Sequence, residues 1–217
     1  MSTWGNYRSN LPEISYFSCL KQEFMSAIAE REKIYTIEEY LQLESRSLEK
    51  LEFDNGKIIE MSGADPVHNM IAVRIMAELV FALDEKDKEY FVLNSDQKIQ
   101  IPDYNQFVYP DAVVICEKIE YYPGSNAIVN PLLVVEVLSP GTESYDRSGK
   151  FIKYKSIPSF MEYVLVRQDK PWVSAFYRQE THLWADTISK GLESNIYLKS
   201  IDCTLDLKKI YRGVKFE

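Results

Sequence analysis

Two apolar runs, "DAVVIC" starting at Asp111 and "LLVVEVL" starting at Leu132, constrain this chain more than any other feature. Both are short, almost unbroken and rich in β-branched residues, as central strands of a sheet covered on both faces should be. Each also brings a carboxylate, Asp111 at the entrance of the first run and Glu136 inside the second. A carboxylate buried in such a strand costs several kcal/mol unless something compensates it. If the runs are neighbouring strands, the two acids converge, and each raises the other's pKa unless a cation lies between them. A divalent ion answers that need: Mg²⁺ takes one or two carboxylates, waters and a phosphate oxygen, and it can polarise a phosphoryl group and acidify an attacking water. The plainer alternatives are an ion pair between Glu136 and a buried Lys or Arg, and solvent exposure of Asp111 after Pro110.

The surrounding pattern predicts a mixed α/β (α+β) domain. Thr36 followed by Glu39 is a capping box that starts a helix. Asp54-Asn55-Gly56 between alternating segments marks a two-residue hairpin, because a type I′ turn needs positive φ at both central positions. "DPVHNMIAVRIMAELVFALDEK" repeats apolar residues at Ile71, Ile75, Leu79 and Leu83, a buried helix of about five turns. "YFVLN" and "QKIQIP" read as strands, "ESYDRSGKFIKYKSI" as a helix ended before Pro158, and "MEYVLVR", "WVSAFYR" and "HLWADT" as closing strands. Residues 1–24 read as an appended arm and 25–217 as a single domain, with Met25 as an alternative start of translation.

The 217 residues are 46% hydrophobic, enough for a sizeable core. Neither a membrane-spanning apolar run nor a secretory leader is evident, and Cys19, Cys116 and Cys203 are too scattered for a metal site. Reduced thiols in a cytoplasmic protein are the expectation, with Cys116 in the core. A formal charge of −8 announces no nucleic-acid face, although Arg147, Lys150, Lys153, Lys155, Arg167 and Lys170 gather in one stretch. Ser139 lacks a nucleophile elbow, and Gly-rich phosphate loops and zinc patterns are absent. Tyr154 and Tyr163 fit packing positions, and His182 fits an exposed strand.

"YPD" ending at Asp111, "VVEVLSPGT" containing Glu136 and "YDRSGKFIKY" containing Lys150 occur in this order and spacing. Together with "LEFDNGKIIEM" and "PVHNMIAVRI", they resemble the Uma-type restriction endonuclease family of the PD-(D/E)XK nuclease superfamily. The resemblance runs from about residue 36 to at least residue 176. It implies a restriction-endonuclease-like mixed sheet flanked by helices and a metal-dependent phosphodiesterase core.

Under that resemblance Asp111 and Glu136 match the two acids, and they would bind the metal directly, with the main-chain carbonyl of Val137. Glu52 matches a third acid that would bind the ion through water or hold a second one. The superfamily lysine would fall at Leu138, a departure; the resemblance implies that it stands instead on the following helix, where Lys150 is the match and Lys153 competes. Lys150 would orient and help deprotonate the attacking water or neutralise developing charge. His68 and Asp146 match supporting positions, Asp146 as a helix cap or as an ion-pair partner of Lys150. The implied activity is cleavage of DNA with Mg²⁺, or Mn²⁺ in its place, by a homodimer with no membrane attachment. Nothing in the sequence separates DNA from RNA. The rival reading is a nuclease-like fold without cleavage, acting as a DNA-binding or protein-interaction module.

Overall fold

The computed structural model describes residues 33–139 and 145–216. The expected arm at residues 1–24 and the alternative start at Met25 lie outside them. Helix α1 (Ile37–Glu44) begins at Thr36, whose hydroxyl accepts the Glu39 N–H at 3.2 Å while the Glu39 carboxylate accepts the Thr36 N–H at 2.9 Å. Strands β1 (Leu51–Asp54) and β2 (Lys57–Glu60) follow as the predicted hairpin. Its turn residues Asn55 and Gly56 have φ of 47° and 96°. Glycine is also needed at position 56 for space, since a Cβ there would lie 2.6 Å from Ile34 Cγ2.

Helix α2 (Pro66–Leu83) has Asp65 as its N-cap and buries Ile71, Ile75, Leu79 and Leu83. Its length and composition would allow it to cross a membrane, contrary to the reading of the sequence. That buried row instead packs in a cluster with Ala112, Val114, Val135 and Val164.

The main sheet combines β3 (Tyr90–Asn94), β6 (Ala112–Cys116), β7 (Leu133–Leu138), β8 (Glu162–Arg167), β9 (Trp172–Arg178) and β10 (Trp184–Lys190), in the order β10-β9-β8-β7-β6-β3. Only β7 and β8 are parallel; every other neighbouring pair is antiparallel. The crossover from β7 to β8 includes a π-helical turn (Tyr145–Lys150) and helix α3 (Phe151–Tyr154). Along β7, Leu133, Val135 and Val137 join the α2 cluster, whereas Val134 and Leu138 join Phe151 and Tyr154 in a second cluster. Both faces of β6 and β7 are therefore covered, which is why their sequences show no polar alternation.

A smaller sheet runs β2-β1-β5-β4, with β4 (Ile99–Ile101) and β5 (Gln106–Val108). It holds a third cluster of Tyr40, Phe53 and Phe107 against α1. Strand β5 was not expected from the sequence. Neither was the C-terminal hairpin of β11 (Asn195–Leu198) and β12 (Cys203–Asp206), which helix α4 (Leu207–Ile210) follows. His182 is exposed as anticipated, but it precedes β10 rather than belonging to it.

Glu162 fastens the C-terminal hairpin to the main sheet. It is 1% exposed and accepts the N–H groups of Lys199 and Ser200 at 3.0 and 2.8 Å, and the Ser200 hydroxyl at 2.7 Å. Glu162→Ala orphans three donors, so a loss of about 3 kcal/mol is expected. Urea denaturation measures it, and an unmoved midpoint would refute the fastening role.

Candidate active site

The β6–β7 ladder pairs Ala112 with Val135. One step further along the same antiparallel register brings Asp111 opposite Glu136, on the same face of the sheet. The two acids line one cleft of about 380 Å³ with Val137, Asp146, Lys150 and His68. The side chains thus do not point to opposite faces.

Asp111 is fixed from two directions. The Val137 N–H donates to its Oδ2 at 2.6 Å, and His68 Nε2 lies 2.9 Å from its Oδ1. His68 occupies the first turn of α2, where the Asp65 carboxylate accepts the N–H groups of Val67 and His68 at 2.8 and 3.0 Å. Burial alone would push the His68 imidazolium pKa down. The hydrogen bond and charge of Asp111, with Asp65 and Asp146 behind, raise it above its ordinary value.

Glu136 is 4% exposed, and Lys150 is 7% exposed. Lys150 Nζ donates to Glu136 Oε1 at 3.0 Å and lies 3.4 Å from Asp146 Oδ1. The two alternatives for Asp146 resolve here, since the ion pair is the contact its side chain makes. Burial raises the Glu136 carboxyl well above its ordinary range; Lys150 opposes this, and Asp146 and Asp111 reinforce it. Burial works against the Lys150 ammonium, but Glu136, Tyr154, Glu52 and Asp146 hold its pKa well above normal. Burial is thus the main cause of the Glu136 shift, and the surrounding carboxylates are the main cause of the Lys150 shift. Lys150 therefore stays protonated, which favours charge neutralisation over taking a proton from water.

Lys153 goes elsewhere, 3.0 and 3.1 Å from the two oxygens of Asp54. Lysines three apart should share a helix face. Here the π turn ends at Lys150 and α3 begins at Phe151, so the two side chains reach different acids. Leu138, where the superfamily pattern would have its lysine, is buried on the Glu136 face with Phe151 and Tyr154. Lys150 approaches that same face from the crossover.

Glu52 is not among the residues lining the cleft, but it lies close enough for its charge and those of Lys150 and Asp146 to act on one another. It is buried in β1, and its Oε1 accepts the Tyr109 N–H at 2.9 Å, two residues before Asp111. Its carboxyl is raised by burial, and Lys150 lowers it in turn. Tyr109 itself escaped notice as a positioning residue. Its hydroxyl donates to Glu44 Oε1 at 2.7 Å, and Glu44 Oε2 lies 2.6 Å from the buried ammonium of Lys98. The segment carrying Asp111 is thus tied to α1 and β1. The "YPD" string already contained Tyr109, but Glu44 and Lys98 carry no local signal.

The model of the Uma2 family, described as "Putative restriction endonuclease", matches residues 37–206. The chain belongs to the Uma2 family. The uncharacterized Synechocystis protein slr1290 is 37% identical over 179 residues, 82% of this chain and 92% of that one. A second uncharacterized Synechocystis protein, sll1609, is 37% identical over 165 residues, 76% of this chain and 92% of its own. Among solved structures, a crystal structure titled as a putative nuclease of the DUF820 group from Anabaena variabilis superposes with a TM-score of 0.65. It covers 82% of this chain and 97% of its own at 16% identity, which is a likeness of fold. This Uma2 protein therefore has a nuclease-like fold, the mixed α+β architecture expected from its sequence.

Proposed function

We propose that this Uma2 protein is a Mg²⁺-dependent endonuclease that hydrolyses phosphodiester bonds in DNA. The observation that carries the reading is the excess of carboxylate over positive charge where Asp111, Glu136, Asp146 and Lys150 line one cleft. The donor set suits a hard cation. Asp111 and Glu136 would hold it, with the Val137 carbonyl as a candidate third ligand and waters completing the shell. Among the described residues no group of three His, Cys, Asp or Glu could hold a metal. With only Asp111 and Glu136 as direct acidic ligands, water would make up most of the shell, as it commonly does for Mg²⁺, or Mn²⁺ in its place. When bound, such an ion lowers the pKa of a coordinated water and polarises the phosphoryl oxygen.

The protein's own groups would supply positioning and charge. Lys150, held protonated, neutralises charge growing on the phosphorane oxygens. His68 and the Val137 N–H orient Asp111, and Glu52 steadies the segment that carries it. A neighbouring hollow of about 450 Å³ shares Met61, His68, Tyr109 and Asp111 with the cleft and extends to Lys50 and Ser95, giving an extended substrate room beside the reacting bond. Cutting both strands of a duplex would be met by a homodimer with twofold symmetry. Free thiols at Cys116 and Cys203 suit a cytoplasmic setting.

Nicking of supercoiled plasmid in Mg²⁺ or Mn²⁺ tests the reading. The lack of a three-group metal cage favours one alternative, a binding module that does not cut. Salt-sensitive plasmid binding with no nicking under either ion would establish that alternative.

A further inference from the structure

On the outer side of the crossover lies an open hollow of about 630 Å³, lined by Tyr104, Lys155, Arg178, His182 and Trp184, with no carboxylate among its lining residues. In a chain of net charge −8 this is unusual. Lys155 and Arg178 bring two positive charges to it, and among the described residues neither has a carboxylate partner. Both stand over the same indole: Lys155 Nζ is 5.4 Å and the Arg178 guanidinium carbon 5.0 Å from the Trp184 ring centroid. Lys155 Nζ also sits 4.0 Å from the Phe151 centroid.

Arg178 is held in place by main-chain oxygens. It donates to the carbonyls of Lys155 at 2.5 Å, Ile157 at 3.2 Å and Pro158 at 3.3 Å, which close the end of the helical crossover. Carbonyls satisfy donors but leave the charge uncompensated. Burial, then the charge of Arg178, pushes the Lys155 ammonium pKa down, the sign of a cation lacking an anion. Arg178, anchored by three carbonyls, is a cation whose ordering cost is already met before a ligand arrives, and Lys155 stands beside it over the same ring. Tyr104 at the edge, 37% exposed, offers a ring face to an unpaired base.

We infer that this hollow is an accessory site for the phosphate backbone of a nucleic acid strand, separate from the cleft of Asp111 and Glu136, with Lys155 as its principal contact. The inference rests on the nucleic-acid reading above but not on cleavage. Lys155 and Lys150 leave opposite ends of one short helical segment, Lys150 serving the cleft and Lys155 the hollow.

The test is binding of a short single-stranded oligonucleotide in EDTA, followed by tryptophan fluorescence with Trp184→Phe as the signal control, over a series of salt concentrations. Lys155→Gln is expected to weaken binding about tenfold and to reduce the salt slope by about one phosphate contact, and Lys155→Arg to restore both. Hydrolysis of a small chromogenic phosphodiester with Mn²⁺, run alongside, reads the cleft alone. If Lys155→Gln binds the oligonucleotide with native affinity and slope, the inference falls, whatever the small substrate does. If the native chain leaves the small substrate intact while oligonucleotide binding still depends on Lys155, the cleavage reading falls and the accessory site stands. Inorganic phosphate separates the other source of this chemistry. Quenching of Trp184 by phosphate, with oligonucleotide binding indifferent to Lys155, would overturn the nucleic-acid assignment.

Discussion

Lys150→Met is expected to lose about 3–5 kcal/mol of stability, the cost of leaving a buried carboxylate without its cation, and about 10²–10³-fold of any nicking rate. Among the described residues, Lys150 is the hydrogen-bond partner of the Glu136 carboxylate. Glu136 is 4% exposed, and its Oε1 accepts from Lys150 at 3.0 Å. Lys153 cannot take over, because Asp54 holds it. Methionine keeps the length and apolar stem of the side chain, so the loss isolates the ammonium. Combining Lys150→Met with Glu136→Gln should recover most of the stability, since the orphaned charge is gone, while nicking stays lost. Urea midpoints and plasmid nicking read the two effects separately. A single variant as stable as the native chain would mean that Glu136 has no need of Lys150.

The second large effect is stabilisation by the ion itself. Mg²⁺ at about a hundred times its Kd should stabilise the native fold by about 2.7 kcal/mol, seen as a rise in Tm, and Asp111→Asn should abolish that rise. Asparagine keeps an oxygen for the Val137 N–H, so the variant should fold, and its silence toward Mg²⁺ is interpretable. The response also has a predicted pH sign. The folded-state pKa of Glu136 is raised from an ordinary value of 4.5. Its contribution to stability is therefore present below that value and lost as pH rises through the folded pKa. Protons compete with the ion for the same carboxylate, so the Mg²⁺-induced rise in Tm should grow with pH across that range. An equal response from Asp111→Asn would remove this acid from the shell.

Much of this architecture could be read from local pattern because local chemistry determines it. The Asn55-Gly56 turn needs left-handed backbone, and few other pairs tolerate it. The row from Ile71 to Leu83 repeats every fourth residue and forms the buried face of α2. Asp111 and Glu136 could be brought together because one precedes an apolar strand and the other interrupts one, leaving few registers that bury the rest. What stayed hidden depends on partners distant in the chain. Strand β5 is three residues long and follows Asn105 in left-handed backbone, so no period can develop in it. The bond from the Tyr109 N–H to Glu52, 57 residues away in the chain, has no local signature either. Lys150 and Lys153 were separable only through the change from π to α helix between them. Glu44 and Lys98 gave no signal, because a buried ion pair between remote positions leaves no spacing to recognise.

The crowding of acids around a single lysine also dictates a sequence of arrivals. Such a field would repel a polyanionic strand and draw divalent ions inward. Under the proposed function the two ligands would therefore help each other, the ion offsetting the acids that oppose the strand and the strand offering a further oxygen to the ion. For such a centre the cellular supply of free divalent ion, rather than collision with the substrate, would govern when cutting begins.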